Sequence, residues 1–248
     1  MSAPAVEFRS VRKSFQPGRA VLEDFSLIVG TGETVVLIGP SGCGKTTVLK
    51  LVNRLLEADA GDVLVFGRDV RQEDPVRIRR QLGYVIQEGG LFPHWDVGRN
   101  VAVVPELLGW SQERRRLRAE ELLAMVNLPA GEFSSRRPRE LSGGQRQRVG
   151  MARALAGDPP VVLMDEPFGA LDPIARRALQ GEFLGWKRKL GKAVLLVTHD
   201  LSEAFRLADR VALLEGGRVH QAGTPDEIRD RPTDAFVREF VSGGLGTR

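Results

Sequence analysis

At 248 residues, with 42% hydrophobic, 27% charged and 6% aromatic side chains, the chain lies in the ordinary folded range, far from disordered, collagenous or disulfide-framework classes. No window approaches the roughly 20 uninterrupted apolar residues of a membrane span, the start MSAPAVEFRS lacks a signal peptide's layout, and the one cysteine, Cys43, excludes an intrachain disulfide; a cytoplasmic chain is expected. The net charge of +4 raises nucleic acid as a partner, but the arginines of ERRRLRAEE (113–121) are interspersed with acids as on a solvated helix face and no aromatic-interleaved basic stretch occurs, so no nucleic-acid partner is expected.

In chain order, VEFRSV (6–11), VLEDFSLIV (21–29) and TVVLIG (34–39) read as strands, separated by turns at Gln16-Pro17-Gly18 and Gly30-Thr31-Gly32. Val48, Leu49, Val52, Leu55 and Leu56 then recur at helical spacing, so a strand feeds a glycine loop that opens a helix over 45–56. Residues 89–159 carry helical stretches (112–126 and 142–156) with little strand pattern, which suggests a helical insertion. VVLM (161–164) and AVLLVT (193–198) are continuous apolar runs of the kind buried in a parallel sheet, and 173–190 has the length of a helix between them. The expected organisation is α/β: one domain over 1–248, with a core of 1–88 and 160–248 and a helical subdomain of 89–159.

GPSGCGKTT (39–47) fits the phosphate-loop pattern in the required strand-loop-helix setting. Gly39, Gly42 and Gly44 would let backbone N–H groups approach phosphate oxygens, helped by the N-terminal end of the helix dipole. Lys45 would reach the β- and γ-phosphates of ATP, Thr46 would ligate Mg2+, and Thr47 could support a phosphate oxygen. Pro40, Ser41 and Cys43 complete the loop; Cys43 reads as a small residue filling it or as a redox-sensitive thiol. Asp165 and Glu166, at the end of a buried strand, suit a Mg2+ carboxylate and a general base that polarises the attacking water. His199 follows another such strand and could clamp the γ-phosphate. Ser142-Gly143-Gly144 precede a helical pattern, so Ser142 resembles an N-cap and offers a second anion-holding end. Two such ends on one chain make sense when the second serves a partner molecule.

These residues, in this order, resemble the ABC transporter ATPase family over nearly the whole chain. GPSGCGKTT resembles Walker A, Gln87 the Q-loop, LSGGQ (141–145) the ABC signature, VVLMDEP (161–167) Walker B with its following glutamate, Ala170-Leu171-Asp172 the D-loop and His199 the H-loop. Phe15 resembles the aromatic that stacks on adenine, where the family more often has tyrosine; a core-facing strand residue is the other reading. The resemblance implies a P-loop, RecA-like core with an antiparallel β subdomain and a helical insertion. It also implies a head-to-tail dimer with a second copy or a close relative, ATP lying between Walker A of one subunit and Ser142, Gly143, Gly144 and Gln145 of the other. Gln87 would sense the γ-phosphate and Mg2+, Asp172 would be among the nucleotide-binding residues, and integral-membrane permease subunits would dock on the helical subdomain.

A narrower resemblance lies in Asn53-Arg54-Leu55 and in residues 74–110, with phrases such as RRQLGYVIQ, GLFPH and VPELLGW. These are similar to ATPases of osmoprotectant importers for glycine betaine, choline, carnitine or proline, which implies a peripheral place on the cytoplasmic membrane face and an indirect link to a solute-binding protein. Many such ATPases continue into a paired CBS module, and none is expected within these 248 residues. The alternatives are an importer for another small solute, a soluble ABC ATPase of DNA repair or translation, and a non-enzymatic nucleotide-binding module.

Overall fold

The computed structural model describes residues 3–87 and 90–245. Packing divides the chain into two compact units, Met1–Ile78 with Ala193–Arg248, and Arg79–Lys192. The chain opens with β1 (Val6–Gln16), β2 (Arg19–Val29), β3 (Thr34–Ile38), α1 (Lys45–Val52), β4 (Ala60–Val65) and β5 (Arg68–Asp69). The boundary between the units falls inside α2 (Pro75–Gln81). The second unit continues with β6 (Leu82–Val85), α3 (Val97–Leu107), α4 (Gln112–Met125), α5 (Ala130–Phe133), α6 (Gly143–Leu155), β7 (Val161–Asp165) and α7 (Pro173–Leu190). The chain then returns to the first unit as β8 (Ala193–Thr198), α8 (Leu201–Leu207), β9 (Arg210–Glu215), β10 (Arg218–Gly223), α9 (Pro225–Asp230) and α10 (Ala235–Leu245).

The first unit holds two sheets. One is antiparallel, ordered β2-β1-β4-β5, with Phe8 paired to Leu27 on one side and Val63 on the other. Phe8 and Phe25 meet edge-on at 5.1 Å in its core, the geometry that aromatic quadrupoles favour. In the other sheet β3 runs parallel to both β8 and β9, and β10 returns antiparallel along β9. Every residue of β3 and β8 is buried, as their unbroken apolar runs require of strands covered on both faces. The β9–β10 turn rests on Gly216 and Gly217, both at positive φ, the conformation a two-residue hairpin demands.

The helix expected over 45–56 stops at Val52. Arg54 turns left-handed (φ 51), Asn53 accepts the N–H of Leu55 through its side chain, and the N–H groups of Leu55 and Leu56 both return to Lys50 O. Leu55 is left half-exposed, so its apolar character continued the spacing without continuing the helix.

In the second unit β6 and β7 pair in parallel, Leu82 with Val161 through Val85 with Met164. A Cβ on Gly83 would stand 2.5 Å from Ala154 O, so α6 packs closely on β6 only because that residue is glycine. Trp186 Nε1 donates to Met125 O (3.0 Å), tying α7 to the end of α4. The arginine run on α4 is laced with ion pairs, Arg116 to Glu113 and Glu120 and Arg118 to Glu121, as its alternating charge implies. The 88/89 boundary expected for the helical subdomain falls on residues outside the described ones. Among the described residues no helix is long and apolar enough to cross a membrane.

Candidate functional site

In the first unit, β3 delivers residues 39–44 at its C-terminal end and α1 starts at Lys45. Gly42 (φ 80) and Gly44 (φ 105) take backbone conformations that a Cβ opposes, and the loop wraps the N-terminus of α1. Lys45 is 7% exposed; its Nζ donates to Gly39 O and Pro40 O at 2.8 Å each, so the ammonium is fixed in the loop and ready to meet an anion. Thr46 and Thr47 follow on the first turn, Thr47 buried. Burial pushes the Cys43 thiol up from its ordinary value, and Lys45 only partly opposes this. The thiol is therefore a poor nucleophile near neutral pH, which favours the loop-filling reading over the redox one.

Beside the loop lies a cleft of about 560 Å3 lined by Phe15, Arg19, Val21, Ser41, Cys43 and the 215–217 turn. Phe15 is 57% exposed and faces this cleft, which decides against a core role. Lys13 Nζ stands 5.8 Å from the Phe15 ring centroid and is held by Asp59 at 2.7 Å. An aromatic plate beside an anion loop suits a ligand with a flat base at one end and charge at the other. Arg19, Val21 and the 215–217 turn were not singled out in the sequence; the Gly216-Gly217 pair was a hairpin signal that could have placed the turn. His199 is exposed just past β8, where Asp200 N donates to Thr198 Oγ1 (3.1 Å) and Asp200 caps α8.

In the second unit, β7 ends on Asp165, which is 7% exposed, and Glu166 follows at φ 43, left-handed backbone for a residue with a Cβ. Gln87, two residues beyond β6, brings Nε2 within 3.4 Å of Glu166 Oε2, so parallel pairing of the two strands sets these side chains together. The Tyr84 phenol donates to the Asp165 carboxylate, a partner that sequence reading missed. Burial first, then the Asp165 charge and that hydrogen bond, push the Tyr84 pKa up to about 12.

Tyr84 is the single tyrosine of the chain, so tyrosinate absorbance reads it alone. The folded protein is expected to titrate near 12 and the urea-unfolded chain near 10. Because the folded value is the higher, the neutral phenol's contribution to stability is fully present below about 10 and is lost as pH rises through 12. A folded-state midpoint near 10 would mean that the phenol is solvated and not bound to Asp165.

The N-cap expected at Ser142 is formed. Ser142 N-caps α6: its Oγ accepts from Gln145 N (3.2 Å), and Gln145 Oε1 accepts from Ser142 N (2.8 Å). The hydroxyl thus spends an acceptor site on the cap and keeps its O–H to donate outward, at a 13-residue helix start where Gly143 is exposed. Gly144 sits beside Leu171, which a Cβ there would touch at 3.6 Å. Asp172 accepts from Ile174 N and Ala175 N (3.0 and 2.9 Å) and so starts α7.

No group of three or more His, Cys, Asp or Glu side chains among the described residues could hold a metal by itself. In the second unit Asp165 and the Gln87 amide oxygen, and in the first the Thr46 hydroxyl, are each hard oxygen donors of the kind that Mg2+ takes.

Residues 22–169 match the sequence family described as ABC transporter. The chain is 48% identical over 236 residues to the glycine betaine/carnitine/choline transport ATP-binding protein OpuCA of Bacillus subtilis, covering 95% of this chain and 62% of that one. It is 49% identical over 244 residues to the glycine betaine uptake system ATP-binding protein YehX of Escherichia coli, covering 98% and 79%. It thus spans only about three fifths of the length of the OpuCA relative. Among solved structures it is similar to the ATP-binding cassette MJ0796 in a dimeric post-hydrolysis state bound to ADP and Pi, with 33% identity, a TM-score of 0.79 and coverage of 89% of this chain and 98% of that one.

Proposed function

Since the chain belongs to the ABC transporter family, we propose that it is the ATP-hydrolysing subunit of a membrane importer for osmoprotectants of the glycine betaine, choline, carnitine or proline class. Its fold is the ABC ATPase fold, a P-loop α/β core with an antiparallel β-sheet and a helical segment. The observation that carries the functional reading is the capped helix start at Ser142. It is a second helix start suited to an anion, in addition to the 39–47 loop, and in this reading it serves the nucleotide held by the loop of another chain met head to tail. The working unit is then a dimer of this chain or of close relatives, with Ser142, Gly143, Gly144 and Gln145 of one copy completing the site at the other copy's loop.

In this reading Phe15 stacks on the base, Lys45 and the loop amides neutralise phosphate charge, and Thr47 supports an oxygen. Thr46, Gln87 and Asp165 are the residues that would hold Mg2+, with Tyr84 fixing the Asp165 carboxylate by its hydrogen bond. Bound Mg2+ would supply Lewis-acid withdrawal of charge from the phosphates. Glu166 takes the proton of the attacking water, Gln87 holds its carboxylate, and His199 donates a hydrogen bond to the charge that develops on the transferred group. Binding favours the closed dimer and hydrolysis releases it, so nucleotide works as a conformational ligand on permease subunits at the cytoplasmic face of the membrane.

The identity to relatives named for glycine betaine, carnitine and choline transport supports the solute class. The solute itself would be selected by the permease and its solute-binding protein. The test is to express the chain with its genomic neighbours, purify it through a tag and assay ATPase activity in proteoliposomes. Copurification of a permease, and hydrolysis stimulated by a solute-binding protein loaded with glycine betaine or choline, are expected. A chain that purifies without membrane subunits and hydrolyses ATP on DNA or ribosomes would overturn the importer reading, and stimulation only by an unrelated solute would overturn the solute class.

A further inference from the structure

Glu166 carries its side chain from a left-handed backbone (φ 43), a conformation that a residue with a Cβ keeps only when its surroundings hold it there. The backbone bonds of the following loop are few and long: Gly169 N donates to Glu166 O at 3.2 Å, and Leu171 N to Phe168 O at 3.3 Å. The loop is also gathered from the side. Arg176, on the first turn of α7, donates from Nε to Phe168 O (3.2 Å) and from Nη2 to Gly169 O (3.3 Å) and Leu171 O (3.1 Å). Three carbonyls of a four-residue stretch thus converge on one guanidinium, whose planar fork of five donors matches such a cluster as no other side chain does.

The support beneath Arg176 is itself fixed. Its N–H donates to Asp172 O (2.9 Å), the Asp172 carboxylate caps the same turn, and the Phe168 ring is fully buried edge-on to Phe183 at 6.2 Å. The loop therefore hangs between the end of β7 and the start of α7, with Arg176 as the cross-tie. Removing the guanidinium leaves three carbonyls to find water and frees Glu166 to relax toward an ordinary backbone conformation, which would swing its carboxylate away from Gln87.

We propose that Arg176 is a positioning residue for hydrolysis, holding the Glu166 backbone and aiming its carboxylate by binding the carbonyls of Phe168, Gly169 and Leu171. This rests on the reading of Glu166 as the general base. It separates two properties of the chain: the 39–47 loop binds nucleotide without Arg176, whereas the geometry of the base depends on it.

The test uses the full chain as Arg176→Ala, Arg176→Lys and Glu166→Gln. Arg176→Ala is expected to lower kcat by about thirtyfold, the scale of a misplaced catalytic group, with KM for ATP and affinity for a fluorescent ATP analogue within about twofold of the parental values. Arg176→Lys, which keeps the charge but cannot span three carbonyls, should fall between the two. Hydrogen exchange at the amides of 168–171 should speed up in Arg176→Ala while the exchange of α6 is unchanged. Should Arg176→Ala fail to fold, Arg176→Lys carries the same comparison. A parental kcat in both Arg176 variants, a rise in KM matching the loss in kcat, or unchanged exchange in the loop would each overturn the proposal. Glu166→Gln separates the two claims: parental turnover there refutes the base itself, whereas an inactive Glu166→Gln beside fully active Arg176 variants refutes only the role of Arg176.

Discussion

Glu166→Gln is expected to lower ATP turnover about a thousandfold while leaving nucleotide affinity within about twofold of the parental chain. The substitution keeps the shape of the side chain and its reach toward Gln87 Nε2, 3.4 Å away, and removes only the capacity to take a proton from water. The groups assigned to hold the phosphates stand on another stretch of chain, 39–47, where Lys45 is fixed by the carbonyls of Gly39 and Pro40. Binding and chemistry should therefore come apart. With hydrolysis blocked, ATP that bridges two chains has no exit through turnover, so a dimer should accumulate with ATP and dissolve when ATP is removed. Phosphate release measures the first effect and light scattering on a sizing column the second. Turnover at the parental rate would refute the assignment of Glu166, and an inactive chain that stays monomeric with ATP would refute the head-to-tail dimer.

What could be read in the sequence was whatever lies close together along the chain. The strand-loop-helix over 34–52, the N-cap at Ser142 and the acids at the end of β7 each depend on a few consecutive residues, and each was found in place. Properties that depend on distant partners were not legible. The Tyr84 phenol serves Asp165 only because β6 and β7 pair in parallel, and nothing within GYVIQ announces that partner. The end of α1 was misplaced for a different reason: Leu55 and Leu56 keep the apolar period, and the left-handed turn at Arg54 carries no glycine to mark it. The β9–β10 hairpin was legible in principle from Gly216-Gly217 following the apolar run of β9, and its turn proves to line the cleft beside Phe15.

Gly39 illustrates the same limit and yields the other large expectation. Its place at the head of a phosphate loop suggests that a missing Cβ makes room for an anion, but the structure gives another reason. A Cβ at Gly39 would stand 2.0 Å from Leu214 O and 3.1 Å from Cys43 Sγ. Leu214 cannot yield, because β9 is fixed to β3 in the register Ile38 to Leu213 and Leu214 is fully buried. Gly39→Ala is therefore expected to cost about 3 kcal/mol or more, by forcing apart two backbones of a packed sheet. It should also weaken binding of the fluorescent ATP analogue more than tenfold, since the displaced strand carries the 215–217 turn that lines the cleft. Gly42→Ala is the control: Gly42 has φ 80 but open space where its Cβ would go, so only the backbone strain of about 1–2 kcal/mol applies. Urea denaturation should rank the two variants in that order. Equal losses would mean that the close approach of Leu214 O, the one obstacle to a Cβ at Gly39 that Gly42 lacks, does not set the cost at the first glycine of the loop.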